Sequence, residues 1–311
     1  MRVNSKTILY ITKRILLAML TVWVVITVTF FVMHAVSGGP FLGEKAMTEQ
    51  AKAALEAKYG LDKPLIQQYG TYLRDIVTKF DFGPSIKKEG MTVIGVIADG
   101  MKTSGKLGLY AAGIALVFGV LLGAIAALRR NKFADRLIMV ITTAFVSMPS
   151  FIIGSLLLLV VAGMLQWLPA NGETAAGLVL PIITLALYPA AYITRLTRSS
   201  MLDVLGQDYI RTAKAKGVSP VRIIFGHALR NALIPVITYV GPMLAYIVTG
   251  SLVVEQIFAV PGIGRAFVNS ITNRDYPLVM GTTIILAVLI VLMNLVGDLL
   301  YKAVDPRIHL E

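Results

Sequence analysis

The sequence predicts an all-α membrane protein of about six transmembrane helices, with both termini on the cytoplasmic side. Three observations predict it. First, the 311-residue chain is 56% hydrophobic and 15% charged, with a mean hydropathy of +0.76, which is too apolar for a soluble domain of this length. Second, the apolar residues fall in stretches of roughly 20, the length a helix needs to cross a ~30 Å hydrocarbon core. They lack the alternation of a barrel strand, and helices satisfy their own backbone where water is missing. Third, Lys and Arg gather in alternate connecting segments. The six expected spans run near Ile15 to Val36, Gly105 to Leu128, Leu137 to Leu165, Leu178 to Leu196, Pro235 to Val254 and Gly281 to Tyr301.

The first span follows Arg2, Lys6, Lys13 and Arg14, the pattern of a secretory signal. Its apolar run exceeds a signal's hydrophobic core, so a retained signal-anchor is expected. The second repeats small residues at Ala111, Ala115, Gly119, Gly123 and Ala127, one face of a helix suited to close packing against a neighbour. The third is overlong and contains Met148 and Pro149, which leaves two readings open: a short amphipathic piece before the crossing, or a kink. Pro181, Pro189, Pro235, Pro242 and Gly241 in the fourth and fifth spans permit bending, as useful for rocking around a pathway as for plain kinked packing.

Orientation follows from basic residues in short loops, which stay on the cytoplasmic side. Segments 1–14, 129–136, 195–234 and 302–311 hold seventeen Lys and Arg, against two in 166–177 and 255–279 together. Residues 37–104 are therefore extracytoplasmic; their nine Lys and Arg nearly balance eight Asp and Glu. The net charge of +12 is thereby accounted for beside membrane ends, which argues against a nucleic-acid partner.

Several chemistries can be set aside. The absence of cysteine excludes disulfides and thiol chemistry. Gly100 to Lys106 reads GMKTSGK, seven positions of a phosphate loop, but Leu107 supplies no hydroxyl for magnesium and no strand precedes it. His34, His227 and His309 are scattered, which leaves a metal centre unsupported. Asp298 inside a span and Glu255 at a helix end are the ionisable candidates for a relay, both expected near an interface, so a buried proton relay has little support.

The most informative stretch is Gln207 to Val236, QDYIRTAKAKGVSPVRIIFGHALRNALIPV. Asp208 is expected to cap a short helix ending near Lys216. Gly217 suits the left-handed position after it, and Ser219 with Pro220 opens a second helix. Arg211, Lys214 and Lys216, with Ala213 and Ala215 between them, would make the first helix a compact basic knob fit for a partner's groove. The plainer alternative is an amphipathic helix lying on anionic lipid.

This loop resembles the cytoplasmic coupling motif of bacterial ABC importer permeases, of general pattern E-A-A-x-x-x-G-x9-I-x-L-P. Ala213 and Gly217 match; Arg211 stands at the Glu position and Arg230 at the Pro position, similar to the variant of the peptide and nickel branch. Gly60 to Ser85, Glu255 to Gly281, and the first span followed by Ser37, Gly38, Gly39 and Pro40 also resemble that branch. The likeness covers nearly the whole chain and is closest to the first permease subunit of oligopeptide importers, the OppB type.

The resemblance implies a type I importer permease fold in the bacterial plasma membrane. It implies a second, homologous permease subunit, two cytoplasmic ATPases carrying ATP and Mg, and an extracytoplasmic binding protein that delivers peptide. This chain would be a non-catalytic half-pore with no cofactor of its own, surrounded by membrane lipid. Tyr209, Arg211, Thr212, Ala213, Lys214 and Gly217 would form the coupling element in an ATPase groove. Thr238, Tyr239, Tyr246 and Thr249 are candidates for the translocation path.

The expected divisions are 1–36 (tail and first transmembrane helix), 37–104 (extracytoplasmic segment, suited to docking the binding protein or to capping the fold), 105–302 (core permease domain with its coupling loop at 203–234) and 303–311 (tail). Oligopeptide is the expected substrate, with dipeptide or nickel as alternatives; nickel ranks behind because no Cys or His cluster is available. A proton-coupled secondary transporter is the more distant alternative, followed by an intramembrane enzyme.

Overall fold

The computed structural model describes residues 5–36, 39–40 and 49–304, and helices account for nearly all of them. In chain order they are α1 Ser5–Ala35, α2 Glu49–Tyr59, α3 Leu65–Lys79, α4 Val93–Leu128, α5 Phe133–Ser147, α6 Ser150–Leu157, α7 Val179–Leu205, α8 Asp208–Ala215, α9 Pro220–Arg222, α10 Arg230–Ala232, α11 Ile234–Ile257, α12 Ile263–Thr272 and α13 Tyr276–Val304. Wider π turns continue α6 over Leu158–Met164 and join α9 to α10 over Ile223–Leu229. Ser37, Gly38, His309 and the 305–311 part of the tail lie outside the described residues, as does the side chain of Asp298.

Five helical stretches among the described residues are long and apolar enough to cross a membrane: Thr12–Ala35, Val93–Leu128, Val179–Leu205, Ile234–Ile257 and Tyr276–Gly297. The third expected span is a broken pair: α5 meets α6 and its π turn at 105°. The cause is local. Pro149 has no amide hydrogen to donate into a continuing helix and forces the residue before it out of helical conformation. Met148 accordingly sits at φ −92°, ψ 127°, and Pro149 opens α6. Each arm of 15 residues is about 22 Å long, short of a full crossing on its own. Counted as one span, the pair brings the total to six.

α4 begins twelve residues before the expected second span. Thr92 caps it, its hydroxyl accepting the Gly95 amide at 3.2 Å, and polar residues through Lys102 do not interrupt the helix. Hydropathy detects only the apolar part of such a helix. GMKTSGK accordingly lies inside α4 and forms no loop of free amides, so nothing there can cradle a phosphate.

The chain forms two compact units. One contains residues up to 102 together with 262–288; the other contains 103–261 together with the residues from 289 onward.

In the first unit, Ile26, Phe30, Phe82, Val93, Ile97, Ile263 and Ile284 are buried. The 80–92 turn is pinned by Asp275, whose carboxylate accepts hydrogen bonds from the Ser85 hydroxyl, from the amides of Ile86 at 3.1 Å and Lys87 at 3.4 Å, and from the Leu278 amide at the start of α13.

In the second unit, Leu107, Leu185, Ile193, Met243, Ile247 and Phe258 centre the core. The small-residue face of α4 meets α7. A β-carbon on Gly119 would stand 2.7 Å from Ile193, and one on Gly123 would stand 2.6 Å from the Thr194 carbonyl oxygen. Ala111, Ala115 and Ala127 are buried along the same face. A second close crossing joins α11 and α13, where Gly241 and Gly297 meet backbone to backbone. Glu255, near the end of α11, is fully buried, and its Oε1 accepts the Ser104 hydroxyl at 2.6 Å.

Candidate functional site

The loop after α7 folds as a helix, a tight turn and a second helix. Gln207 occupies the N-cap position of α8 in an extended conformation, which corrects the expectation for Asp208. Asp208 is the first helical residue, where its charge favours the positive end of the helix dipole, and Arg211 Nη1 reaches it at 3.5 Å. Both side chains are exposed, so the pair contributes little to stability.

α8 ends in a Schellman motif. The Gly217 amide donates to the Lys214 carbonyl at 3.0 Å and the Val218 amide to the Ala213 carbonyl at 3.1 Å. Gly217 takes φ +75°, and a β-carbon there would meet nothing within 4 Å, so the backbone conformation alone selects glycine. Ser219 and Pro220 then start α9 as expected.

One side of α8 is fixed to the second unit. Ile210 is fully buried in a cluster with Ala127, Met201, Ile223, Ala228 and Ala232, and Ala213 and Val218 pack against that cluster. Ala213 therefore faces inward and is not a patch on the basic surface; its contact beside Val218 completes the Schellman turn. Arg211, Thr212, Lys214, Ala215 and Lys216 face solvent, and the Thr212 hydroxyl donates to the Asp208 carbonyl at 3.0 Å. Tyr209 is also exposed, and its hydroxyl accepts the Asn231 side-chain amide at 2.8 Å, tying α8 across to α10.

The four pathway candidates on α11 divide by type. Thr238 donates to the Pro235 carbonyl at 2.8 Å and Thr249 to the carbonyls of Ala245 and Tyr246 at 3.1 and 3.0 Å, so both hydroxyls are spent on their own helix. The tyrosines instead pair with α7. Tyr239 lies against Tyr192 and Tyr246 against Tyr188, with ring centroids 4.3 and 4.7 Å apart. Tyr188 and Tyr192 were not singled out from the sequence, although their four-residue spacing places them on one helix face.

A buried ion pair was also missed. Arg198 of α7 grips Asp135 of α5 with both arms, Nε to Oδ1 at 2.6 Å and Nη2 to Oδ2 at 2.8 Å, and the Asn131 amide donates to Oδ2 at 2.8 Å. In the sequence Arg198 entered only as part of a charge count, and Asp135 was not singled out. Asp135 is the one acid in the basic 129–136 segment, two residues before the apolar run that opens at Leu137.

Comparison with known proteins agrees with this geometry. Residues 119–310 match the family described as the binding-protein-dependent transport system inner membrane component, and residues 7–91 match its N-terminal counterpart. The chain is 49% identical to the dipeptide transport system permease protein DppB of Bacillus subtilis, with 97% of this chain and 98% of that one covered. It is 45% identical to the oligopeptide transport system permease protein OppB of Haemophilus influenzae and 42% identical to that of Escherichia coli K12, in each case with 96% of this chain and 99% of the relative covered. Among solved structures, the inward-facing MetNI methionine ABC transporter superposes with a TM-score of 0.57 at 21% identity, over 68% of this chain and 96% of that one, a likeness of fold. The chain is thus a multi-pass plasma-membrane protein and belongs to the family of binding-protein-dependent transport system inner membrane components.

Proposed function

We propose that this chain is the permease subunit of an ATP-driven importer that moves peptides inward across the plasma membrane. The observation that carries the reading is the α8 element: a short helix seated by Ile210 on the body of its unit, closed by a glycine turn, with a basic outer face. A helix anchored on one side and polar on the other is suited to transmit force between a membrane bundle and a soluble partner. Tyr209, Arg211, Thr212 and Lys214 would contact an ATPase subunit; Ala213 and Gly217 would hold the element's shape. ATP and Mg would be bound by two such ATPases, with a second permease completing the pore and an extracytoplasmic binding protein supplying peptide.

Oligopeptides remain the favoured cargo from the sequence likeness. Dipeptides are the second reading, favoured by the 49% identity to a dipeptide permease. The test is co-purification with the native partners, followed by an ATPase assay in liposomes with binding protein and peptides of two to six residues. Peptide-stimulated hydrolysis with inward accumulation supports the reading. Transport by this chain alone on an ion gradient would overturn it.

A further inference from the structure

The first unit contains a half-open cavity of about 270 Å³ between the outer end of α1, α2, α3, the 81–86 turn and the start of α13. Its walls are aromatic, with Phe30, Tyr59, Tyr72, Phe82 and Tyr276 among the lining residues. Four buried side-chain polar atoms among the described residues lack any hydrogen-bond partner, and three of them belong to residues lining this cavity: His34 Nε2, Tyr72 Oη and Tyr276 Oη. Tyr276 is 6% exposed. Buried polar groups are normally satisfied, because leaving one bare costs about 1–3 kcal/mol, so three orphans around one space point to something that fills it.

The chemistry of the missing partner can be read from His34. Its Nδ1 lies 2.8 Å from the Phe30 carbonyl oxygen, which can only accept, so Nδ1 carries the proton. In the neutral ring Nε2 is then a bare acceptor, and the partner must donate to it. The two tyrosine hydroxyls can accept as well as donate; burial pushes the Tyr72 phenol above its ordinary value, which keeps it a hydroxyl. Asp75 and Asp81 also line the cavity, against the single cation Lys63. Asp75 is already bridged by Arg74 and Lys79, at 3.3 and 3.2 Å, so the negative contribution comes from Asp81. A group with several donors and a positive charge, held among aromatic faces, satisfies all of these.

We propose that this cavity binds a primary ammonium on a short apolar body, the chemistry of a peptide's amino terminus. The volume is just below the ~300–1,000 Å³ of sites for drug-sized ligands, which suits one or two residues. An ethanolamine lipid headgroup carries the same ammonium and is the second possible source. The peptide source rests on the function proposed above; the ammonium chemistry does not.

The test uses the full chain in nanodiscs of phosphatidylglycerol, titrated calorimetrically with trialanine and with N-acetyl-trialanine. Retention of phosphatidylethanolamine is counted separately by native mass spectrometry. Trialanine is expected to bind at least tenfold more tightly than its acetylated form. Tyr72→Phe with Tyr276→Phe keeps both rings and removes both hydroxyls, and is expected to weaken binding at least tenfold; His34→Phe is expected to do the same. Lipid retention that falls in these variants, with no trialanine binding, assigns the ammonium to the headgroup. Equal binding of the two peptides, insensitivity to all three substitutions, or no binding of either probe overturns the proposal. Peptide-stimulated ATPase activity of the wild-type importer reports separately on the permease reading, which survives a failure at this cavity.

Discussion

Substitution at Asp135 tests how the cytoplasmic ends of α5 and α7 are joined. The Asp135 side chain is 3% exposed and that of Arg198 is 23% exposed. Breaking a fully buried ion pair costs about 3–5 kcal/mol, mostly through the charge left unpaired. In Asp135→Leu the orphan is Arg198, which solvent already reaches in part, so a loss of about 2–3 kcal/mol is expected. Arg198→Leu strands the more deeply buried carboxylate with only the Asn131 amide, and the upper part of the same range applies, about 3–4 kcal/mol. The double substitution Asp135→Leu with Arg198→Leu removes both charges and leaves one amide unpaired, for about 1 kcal/mol.

The cycle therefore predicts a coupling energy of about 4–6 kcal/mol between the two positions. The assay is reversible unfolding of the purified chain in mixed micelles of increasing SDS fraction, followed by circular dichroism. Additive single losses, with a coupling energy under about 0.5 kcal/mol, would refute the claim that this pair acts as one unit.

Substitutions at Gly217, Gly123 and Asp275 test other parts of the argument. Gly217→Ala should cost only the left-handed backbone penalty, about 1–2 kcal/mol, because the space is open; Gly217→Pro, whose ring fixes φ near −65°, should abolish peptide-stimulated ATPase activity while the protein still inserts, and normal uptake by that variant would remove Gly217 from the coupling element. Gly123→Ala drives a β-carbon into the Thr194 carbonyl and Thr197, so a loss of about 1–3 kcal/mol is expected in the same SDS assay, with Gly113→Ala, which meets nothing within 4 Å, as the neutral control. Asp275→Ala removes the shared acceptor of the 80–92 turn; trypsin should then cut at Lys87 or Lys88 at least tenfold faster, and an unchanged rate would mean that the turn is held by other contacts.

Much of this architecture is legible in one dimension because a bilayer imposes a length and a polarity that few residues can violate. Five apolar stretches became five long helices, and the 3.6-residue period of α4 put its small residues against α7. Gly217 was legible for a different reason: a glycine after a basic helix and before Ser-Pro has few local interpretations, and its Schellman geometry depends on neighbours in sequence. What escaped depends on partners distant in sequence. Ala213 is a small residue between cations until its packing against the cluster of Ala127, Met201 and Ala232 shows which way the helix is rolled. Asp135 and Arg198 are 63 positions apart, and neither carries a local sign of the other. Hydropathy also misses the polar first turns of α4, since a helix capped at Thr92 needs no apolar residues to begin. The 105° break at Met148 was half legible, as Pro149 announced a disruption but not its angle.

The same contacts indicate how a push on α8 would spread if the proposed function holds. Ile210 does not sit on a loop; it shares a buried cluster with Ala127 from the end of α4, Met201 from the end of α7, and Ile223, Ala228 and Ala232 from the segment leading to α11. A displaced α8 must therefore carry three chain segments together or open a cavity at Ile210, and opening one costs about 2–5 kcal/mol for a large aliphatic side chain. The Asp135 to Arg198 clamp adds α5 to the group moved. The π turn Ile223–Leu229 belongs to the same body, since Ile223 and Ala228 within it and Ala232 beyond it are buried in the Ile210 cluster. Rigid contact around Ile210 would let the ends of α4, α5 and α7 nearest α8 follow an ATPase as a block and carry the start of α11 with them.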